Sequence, residues 1–318
     1  MKYKVIIPED ITEPGKDYLR KNNCEIVVLN STEPEVLEKE GADADALLAR
    51  TAKYPKEILS KMPKLKVIGR HGVGYDNIDM DFCNKNKIWV TITPNANANA
   101  VAEHTIMLLL ACARNLLYQN QEVKKGNWNS RNQVKGEEVN EKVIGIVGCG
   151  RIGKQVAQKA VLGLGMKAIG YDPYLGKDIK PENIEMVDSV ETVFKTADFI
   201  SLHLPETGET KRMVNERLLS MMKPTATLLN CARGGIIDEV ALYNALKEKR
   251  IHAAGVDVLA EEPFDKEHKF MELENMVITP HNAALNVETM NKMGLDAAAG
   301  IVDVLNGKTP AWAVSKFA

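Results

Sequence analysis

Short apolar runs alternate with amphipathic stretches along all 318 residues, the pattern of βα units laid over parallel sheets. Runs at 4–7, 25–29, 46–49, 66–69 and 88–92 predict five buried strands, with helices over 14–21 and 34–40 between the first of them. This series closes into a compact α/β domain near Pro94. The segment 99–124 then carries a helical pattern with no internal Gly or Pro, longer than a connector within one small domain needs, and reads as a helix bridging two domains. The polar run 124–141 holds Gly126, Gly136 and the isolated Trp128 and Arg131; it is either a surface loop or, through an exposed Trp, a subunit contact. A second βα series starts at Val143 and passes through strands ending near Tyr171, Leu202, Asn230, Asp257 and Thr279, with a short extra one around 184–187. Six full strands on helical crossovers make a second doubly wound sheet. The last helix, 287–305, ends at Asn306-Gly307 in the manner of a C-cap and is expected to return to the first domain. The expected fold class is α/β: two doubly wound parallel-sheet domains, 1–98 plus 287–318 and 99–286, whose two crossings imply a hinged cleft.

The stretch Val143-Ile144-Gly145-Ile146-Val147-Gly148-Cys149-Gly150-Arg151-Ile152-Gly153 stands out within this pattern. An apolar run ending in Gly-x-Gly-x-x-Gly reads as a buried strand turning sharply into a helix, here 154–162. Gly148 permits the bend, Gly150 lets the backbone approach a pyrophosphate, and Gly153 allows close packing of helix on strand. The helix N-terminus offers free N–H groups to the anion around Arg151 and Ile152. A strand over 167–171 then ends in Asp172, about twenty residues past Gly153, where a ribose-binding acid should stand. The motif with this context predicts a dinucleotide.

Composition narrows the partners. Lys+Arg 41 against Asp+Glu 43 leaves a formal charge of -2, which suggests neither a basic face for nucleic acid nor a polybasic membrane anchor. The longest apolar run, 105–113, is too short to span a bilayer, and the strand beginning at once after Met1-Lys2-Tyr3 leaves no room for a signal peptide. Cys24, Cys83, Cys112, Cys149 and Cys231 include no C-x-x-C pair and fit reduced core or turn residues of a cytoplasmic protein; no metal site is expected.

Ligands of open parallel sheets bind beyond the carboxyl ends of the strands, so the residues just after each strand matter most. The run 226–230 delivers Cys231-Ala232-Arg233, 253–256 delivers Asp257 and the Glu261-Glu262-Pro263 loop, 276–279 delivers His281, and 199–202 adds His203 and Pro205. An Arg, a Glu and a His on the rim that receives a nicotinamide suit hydride transfer to a 2-oxo acid. His281 supplies the proton that the developing alkoxide needs, Glu262 orients the imidazole, and Arg233 clamps the substrate carboxylate bidentately and polarises the carbonyl.

Beyond these, Gly69-Arg70-His71-Gly72-Val73-Gly74-Tyr75-Asp76-Asn77-Ile78-Asp79, Ala100-Val101-Ala102-Glu103, the 145–153 and 230–238 segments, Gly255-Val256-Asp257 through Pro263, and Thr279-Pro280-His281 follow in one order. In these stretches, over essentially its whole length, the chain resembles the D-isomer-specific 2-hydroxyacid dehydrogenase family. The resemblance implies a flavodoxin-like substrate-binding domain, a Rossmann NAD-binding domain, and an Arg-Glu-His set at Arg233, Glu262 and His281. Glu262 is preferred to Glu261 because it directly precedes Pro263. It also implies that the backbone at Val73 and Gly74 receives the substrate carboxylate, that Asp257 meets the nicotinamide carboxamide, and that the protein is a homodimer joined through the NAD domain. Within the family the nearest likeness is to the members acting on 3-phosphoglycerate: Ala49-Arg50-Thr51-Ala52-Lys53 matches their loop, which makes Arg50, Thr51 and Arg70 candidate phosphate contacts and places Asn97 near the substrate. His71, where a small residue is usual, and Ala283-Ala284-Leu285, where a more polar segment is usual, keep hydroxypyruvate, glyoxylate or another short 2-oxo acid as alternatives. No appended regulatory domain, and hence no serine feedback, is expected of a chain ending at Ala318. Asp172 accepts hydrogen bonds from ribose hydroxyls and repels a 2′-phosphate, with no arginine in Pro173-Tyr174 to offset it, so NAD is expected over NADP. The fold also serves as an NAD-sensing binding protein; the complete Arg233, Glu262 and His281 set favours the enzyme.

Overall fold

The computed structural model describes residues 2–176 and 179–317; Met1 and Ala318, the outer limits of the expected first domain, lie outside them. The chain divides into two compact units, Met1–Asn97 with Ala284–Ala318, and Ala98–Ala283.

In unit 1, β1 (Tyr3–Ile7), β2 (Cys24–Val28), β3 (Ala46–Ala49), β4 (Val67–Arg70) and β5 (Trp89–Thr91) form one parallel sheet in the order β2-β1-β3-β4-β5. Both faces are covered, so the strands read as unbroken apolar runs, and alternate residues enter different cores. Val5, Ile7, Ala46, Leu48 and Val67 join Leu19 of helix Glu13–Lys21 and Ala297, Ala298 and Ile301 of helix Val287–Leu305. Ile6, Leu47, Ala49, Ile68 and Val90 join Leu37, Leu59 and Met62 on the other face. Each large side chain so buried contributes about 1.5–3 kcal/mol. The helix Val287–Leu305 starts where Asn286 accepts from the Thr289 amide at 2.9 Å, a side-chain cap.

Unit 2 contains β6 (Val143–Val147), β7 (Lys167–Tyr171), β8 (Glu185–Met186), β9 (Phe199–Leu202), β10 (Thr227–Asn230), β11 (Ala253–Val256) and β12 (Met276–Ile278), all parallel in the order β12-β11-β10-β9-β6-β7-β8. The order reverses between β6 and β9, a topological switch point. The helix after β6 starts earlier than expected, as Arg151–Gln158, and its last turn is wound as a π-helix over Lys159–Gly163.

The expected single helix over 99–124 is corrected: it is two helices, Ala98–Ala113 and Leu116–Lys124, bent by 62°. Asn115 sits between them in the left-handed conformation, φ 49°, which asparagine tolerates better than most residues. The carbonyl freed at Ala113 accepts the Glu137 amide at 2.7 Å, and Asn115 Nδ2 donates to the Lys135 carbonyl at 3.2 Å. The break is made by the returning polar segment, twenty residues away. From Ala98 on, the helix lies in unit 2, packed on β10, β11 and β12, rather than bridging. Among the described residues no single helix is long and apolar enough to cross a membrane.

Candidate active site

The glycine turn sits at the switch point of unit 2. The Gly148 amide donates to the Tyr171 carbonyl and the His203 amide to the Val147 carbonyl, at 2.9 and 2.8 Å, fastening the turn between β7 and β9. Gly148 has φ 94°, and a Cβ on it would lie 2.5 Å from the His203 carbonyl oxygen. A Cβ on Gly153 would lie 2.2 Å from the Gly148 oxygen, whereas one on Gly150 meets nothing within 4 Å. The first two glycines are therefore imposed by packing. The open space over Gly150, at the N-terminus of helix Arg151–Gln158, is the cradle a pyrophosphate fits. Beyond β7, Asp172 accepts from the Cys149 amide at 2.9 Å and the Tyr174 amide at 3.0 Å. Its carboxylate is thereby aligned with the turn, with lone pairs remaining for ribose hydroxyls. The residues present fit a nicotinamide dinucleotide.

Past β10, the buried Asn230 shapes the next turn: its Oδ1 accepts from the Ala232 amide at 3.0 Å and its Nδ2 donates to the Arg233 carbonyl at 2.9 Å. Arg233 Nη1 donates to the Ala232 carbonyl at 2.7 Å, and Cys231 is buried. A Cβ on Gly234 would fall 1.9 Å from the Leu259 carbonyl carbon. Only glycine allows the Arg233 turn to lie directly against the loop that carries Glu262.

Glu262 Oε2 lies 2.6 Å from His281 Nδ1, and Glu262 Oε1 accepts from the Leu259 amide at 3.0 Å. Burial by itself pushes the Glu262 carboxyl up. The hydrogen bond and charge of His281, the Leu259 N–H and the charge of Arg233 outweigh it and hold Glu262 below its ordinary range. Ionised Glu262 accepts from His281 Nδ1–H, which leaves Nε2 for proton exchange with a ligand. His281 has φ 51°, and its amide donates to the Asp257 carbonyl at 2.8 Å.

Asp257 is 1% exposed. It accepts from Thr279 Oγ1 at 2.6 Å and from the Asn282 and Ala283 amides at 3.0 and 2.9 Å, while His104 Nε2 meets Thr279 Oγ1 at 2.9 Å. So committed, the Asp257 carboxylate ties the Thr279 hydroxyl before His281 to the backbone amides after it. Its expected contact with a carboxamide finds little exposed surface. Burial lowers His203 to a pKa of about 3; its Nε2 lies 2.8 Å from Ser201 Oγ. Pro205 is exposed, and its carbonyl accepts from Thr210 Oγ1 at 2.6 Å.

In unit 1, Arg50 Nη1 donates to the Asp10 carbonyl at 2.7 Å. Glu9 accepts from the Thr51 and Ala52 amides at 2.8 and 3.0 Å and from the Thr51 hydroxyl. Asn77 Nδ2 donates to the Arg50 and Ala52 carbonyls, at 3.1 and 2.6 Å. Arg70 Nη1 donates to the His71 carbonyl. Val73 and Gly74 stand part-exposed between Gly72 and Asn77, and Asn97 Oδ1 is buried without a partner.

Sequence reasoning assigned no individual role to Glu9, Asn77, His104, Asn230 and Thr279. Glu9 and Asp10 stand two and three residues past β1, within the distance at which Pro205 stands past β9, so the after-strand rule reaches them when applied to both sheets. His104 reads as one of four polar residues in an otherwise apolar helix, and its partner Thr279 is remote in sequence.

Residues 106–283 match the family model described as "D-isomer specific 2-hydroxyacid dehydrogenase, NAD binding domain". The D-3-phosphoglycerate dehydrogenase of Methanocaldococcus jannaschii is 40% identical over 96% of this chain, which spans only 58% of that protein's length. The hydroxypyruvate reductase of Thermotoga maritima is 37% identical over 93% of this chain and 96% of its own. Among solved structures, the D-lactate dehydrogenase of Aquifex aeolicus, complexed with NAD and lactic acid, superposes with a TM-score of 0.88 at 30% identity, covering 98% of this chain and 99% of that one.

Proposed function

We propose, from the premise that this chain belongs to the D-isomer-specific 2-hydroxyacid dehydrogenase family, that it transfers hydride between NAD and a D-2-hydroxy acid. The favoured pair is 3-phosphoglycerate and 3-phosphohydroxypyruvate, the activity named for the M. jannaschii relative; the second reading is hydroxypyruvate, the substrate named for the T. maritima relative, or glyoxylate. The observation that carries the catalytic reading is the 2.6 Å contact of His281 Nδ1 with Glu262, beside Arg233. Bound NAD supplies or accepts the hydride at its nicotinamide ring. In the oxidation, neutral His281 takes the hydroxyl proton at Nε2 while Glu262 stabilises the imidazolium that forms. Arg233 holds the substrate carboxylate and the oxygen on which charge develops. Arg50, Thr51, Arg70, Asn97 and the Val73 and Gly74 backbone recognise the acid. Gly148, Gly150, Arg151, Ile152 and Gly153 cradle the pyrophosphate, Asp172 binds the ribose, and His203, Pro205, Cys231 and Ala232 line the cofactor's path, while the buried Asp257 acts through the turn it holds at His281. Asp172 selects NAD, because its charge repels a 2′-phosphate.

The test is NADH oxidation with 3-phosphohydroxypyruvate, hydroxypyruvate, glyoxylate and pyruvate, repeated with NADPH. A preference above about a hundredfold for the phosphorylated acid, about 2.7 kcal/mol, is expected. Tight NADH binding with no turnover of any acid would mean a binding protein, and equal use of NADPH would refute the role of Asp172.

A homodimer through unit 2 belongs to the same reading. Helix Leu116–Lys124 has no buried residue, yet Leu116, Leu117, Val123 and the nearby Trp128 are exposed by 54, 44, 47 and 69%, an apolar surface suited to a second copy. A monomeric mass by light scattering would exclude it. We place the protein in the cytoplasm, a reading supported by five free cysteines, all buried; disulfides in protein isolated from its cells would overturn it.

A further inference from the structure

At the carboxyl end of the unit 1 sheet, β3 and β4 run side by side with Ala49 opposite Arg70. One residue further on stand Arg50 and His71, and the His71 amide still donates to the Ala49 carbonyl, at 2.8 Å. Arg70 folds back over this turn. Its Nη1 donates to the His71 carbonyl and lies 2.7 Å from where a Cβ on Gly72 would stand, with Gly72 at φ +144°. Glycine at 72 is what leaves room for the guanidinium.

The His71 side chain is 5% exposed. Its ring lies near the Met290 backbone, while Nε2 is buried with no partner. Burial first, then the charges of Arg50 and Arg70, lower its pKa to about 4, so the ring is neutral at pH 7. Beside it, Thr93 donates its amide to the Gly72 carbonyl at 2.9 Å and holds a second unpartnered buried atom, Oγ1. Buried polar atoms of this kind are costly unless a bound group completes them.

We propose that His71 is a specificity-determining residue: with Arg50 and Arg70 it receives the terminal phosphate of a three-carbon 2-oxo acid, its Nε2 bonding a phosphate oxygen. The inference rests on the phosphorylated substrate proposed above. A phosphate monoester titrates near pH 6, so it reaches the site as monoanion and dianion together. The P–OH of the monoanion donates to neutral Nε2. The dianion offsets both guanidinium charges, draws a proton onto Nε2 and accepts from it. A substrate without the phosphate leaves Nε2 unpaired, and discrimination by an unpaired polar group is steeper than discrimination by lost apolar contact.

The experiment compares kcat/KM for 3-phosphohydroxypyruvate and hydroxypyruvate in the wild type, His71→Ala and His71→Gln, with NADH affinity measured on each protein to establish that it is folded. The expected result is a preference for the phosphorylated acid that falls at least tenfold in His71→Ala, through KM, and recovers in part in His71→Gln, whose amide supplies a hydrogen bond. Inorganic phosphate should inhibit hydroxypyruvate reduction by the wild type and do so at least tenfold more weakly in His71→Ala. A wild type with no preference overturns the substrate reading, and this proposal with it. A wild type with the preference and a His71→Ala variant that keeps it overturns the role of His71 alone. Variants that do not bind NADH leave the phosphate test to the wild type, where absence of competitive inhibition overturns the proposal.

Discussion

Replacing Glu262 by Gln isolates the charge in the Glu262–His281 contact, because the amide keeps the shape and an oxygen that can accept from Nδ1–H. The two groups meet at 2.6 Å, with side-chain exposures of 36% for Glu262 and 47% for His281. Charge centres about 4 Å apart interact by about 1 kcal/mol in water and about 4 kcal/mol at an effective dielectric of 20. Partial exposure puts the pair between these limits, and screening argues for the lower half, so about 2 kcal/mol is the working value. In the oxidation proposed above, the imidazolium forms as the hydroxyl proton arrives, which places this stabilisation in the transition state. Glu262→Gln should therefore lower kcat for D-3-phosphoglycerate oxidation by about thirtyfold, with NAD affinity nearly unchanged. Stopped-time NADH formation and cofactor titration by fluorescence measure the two separately. A kcat within twofold of the wild type, or a loss confined to NAD affinity, would refute the reasoning. Glu261→Gln is the control, expected to change kcat by less than twofold.

Burial keeps His71 and His203 neutral, with folded-state pKa values of about 4 and about 3 against 6.5 unfolded. The stability this represents is fully present above pH 6.5 and is lost as pH falls toward those values, because the unfolded chain takes up protons that the fold excludes. Tm should decline over that window, and His203→Gln should flatten the decline; a variant curve parallel to the wild type would show that His203 is not a source of it. At the helix break, Asn115→Ala should cost about 1–2 kcal/mol for a left-handed residue without asparagine's tolerance, about 2–8 °C in the Tm of unit 2, while Asn115→Gly should cost less. Equal Tm values for the two variants would count against backbone strain as the cause.

Much of this protein is legible in one dimension. Strands buried on both faces appear as unbroken apolar runs, so β1, β3, β6 and β10 are visible without partners. The glycine spacing at 148, 150 and 153 is visible for a related reason: the carbonyl oxygens of His203 and Gly148 forbid a Cβ at two of these positions, and sterics of that severity restrict residue choice directly. Arg233, Glu262 and His281 could be named because a parallel sheet delivers whatever follows each strand to the same edge.

Other features depend on residues that meet only after folding. Asn115 breaks a helix because Lys135 and Glu137 return to it, and helix propensity, a sum over neighbours, does not register a partner twenty positions away. Glu9 is fixed by the Thr51 and Ala52 amides, in the loop after β3 and over forty residues away. The sequence shows that Asp257 follows β11, but burial decides that its carboxylate serves the Thr279 hydroxyl and the amides beyond His281. Periodicity and local sterics are properties of the chain as written. The environment of a carboxylate or an imidazole is made by segments far apart in sequence, and its chemistry is settled only when packing has removed the water between them.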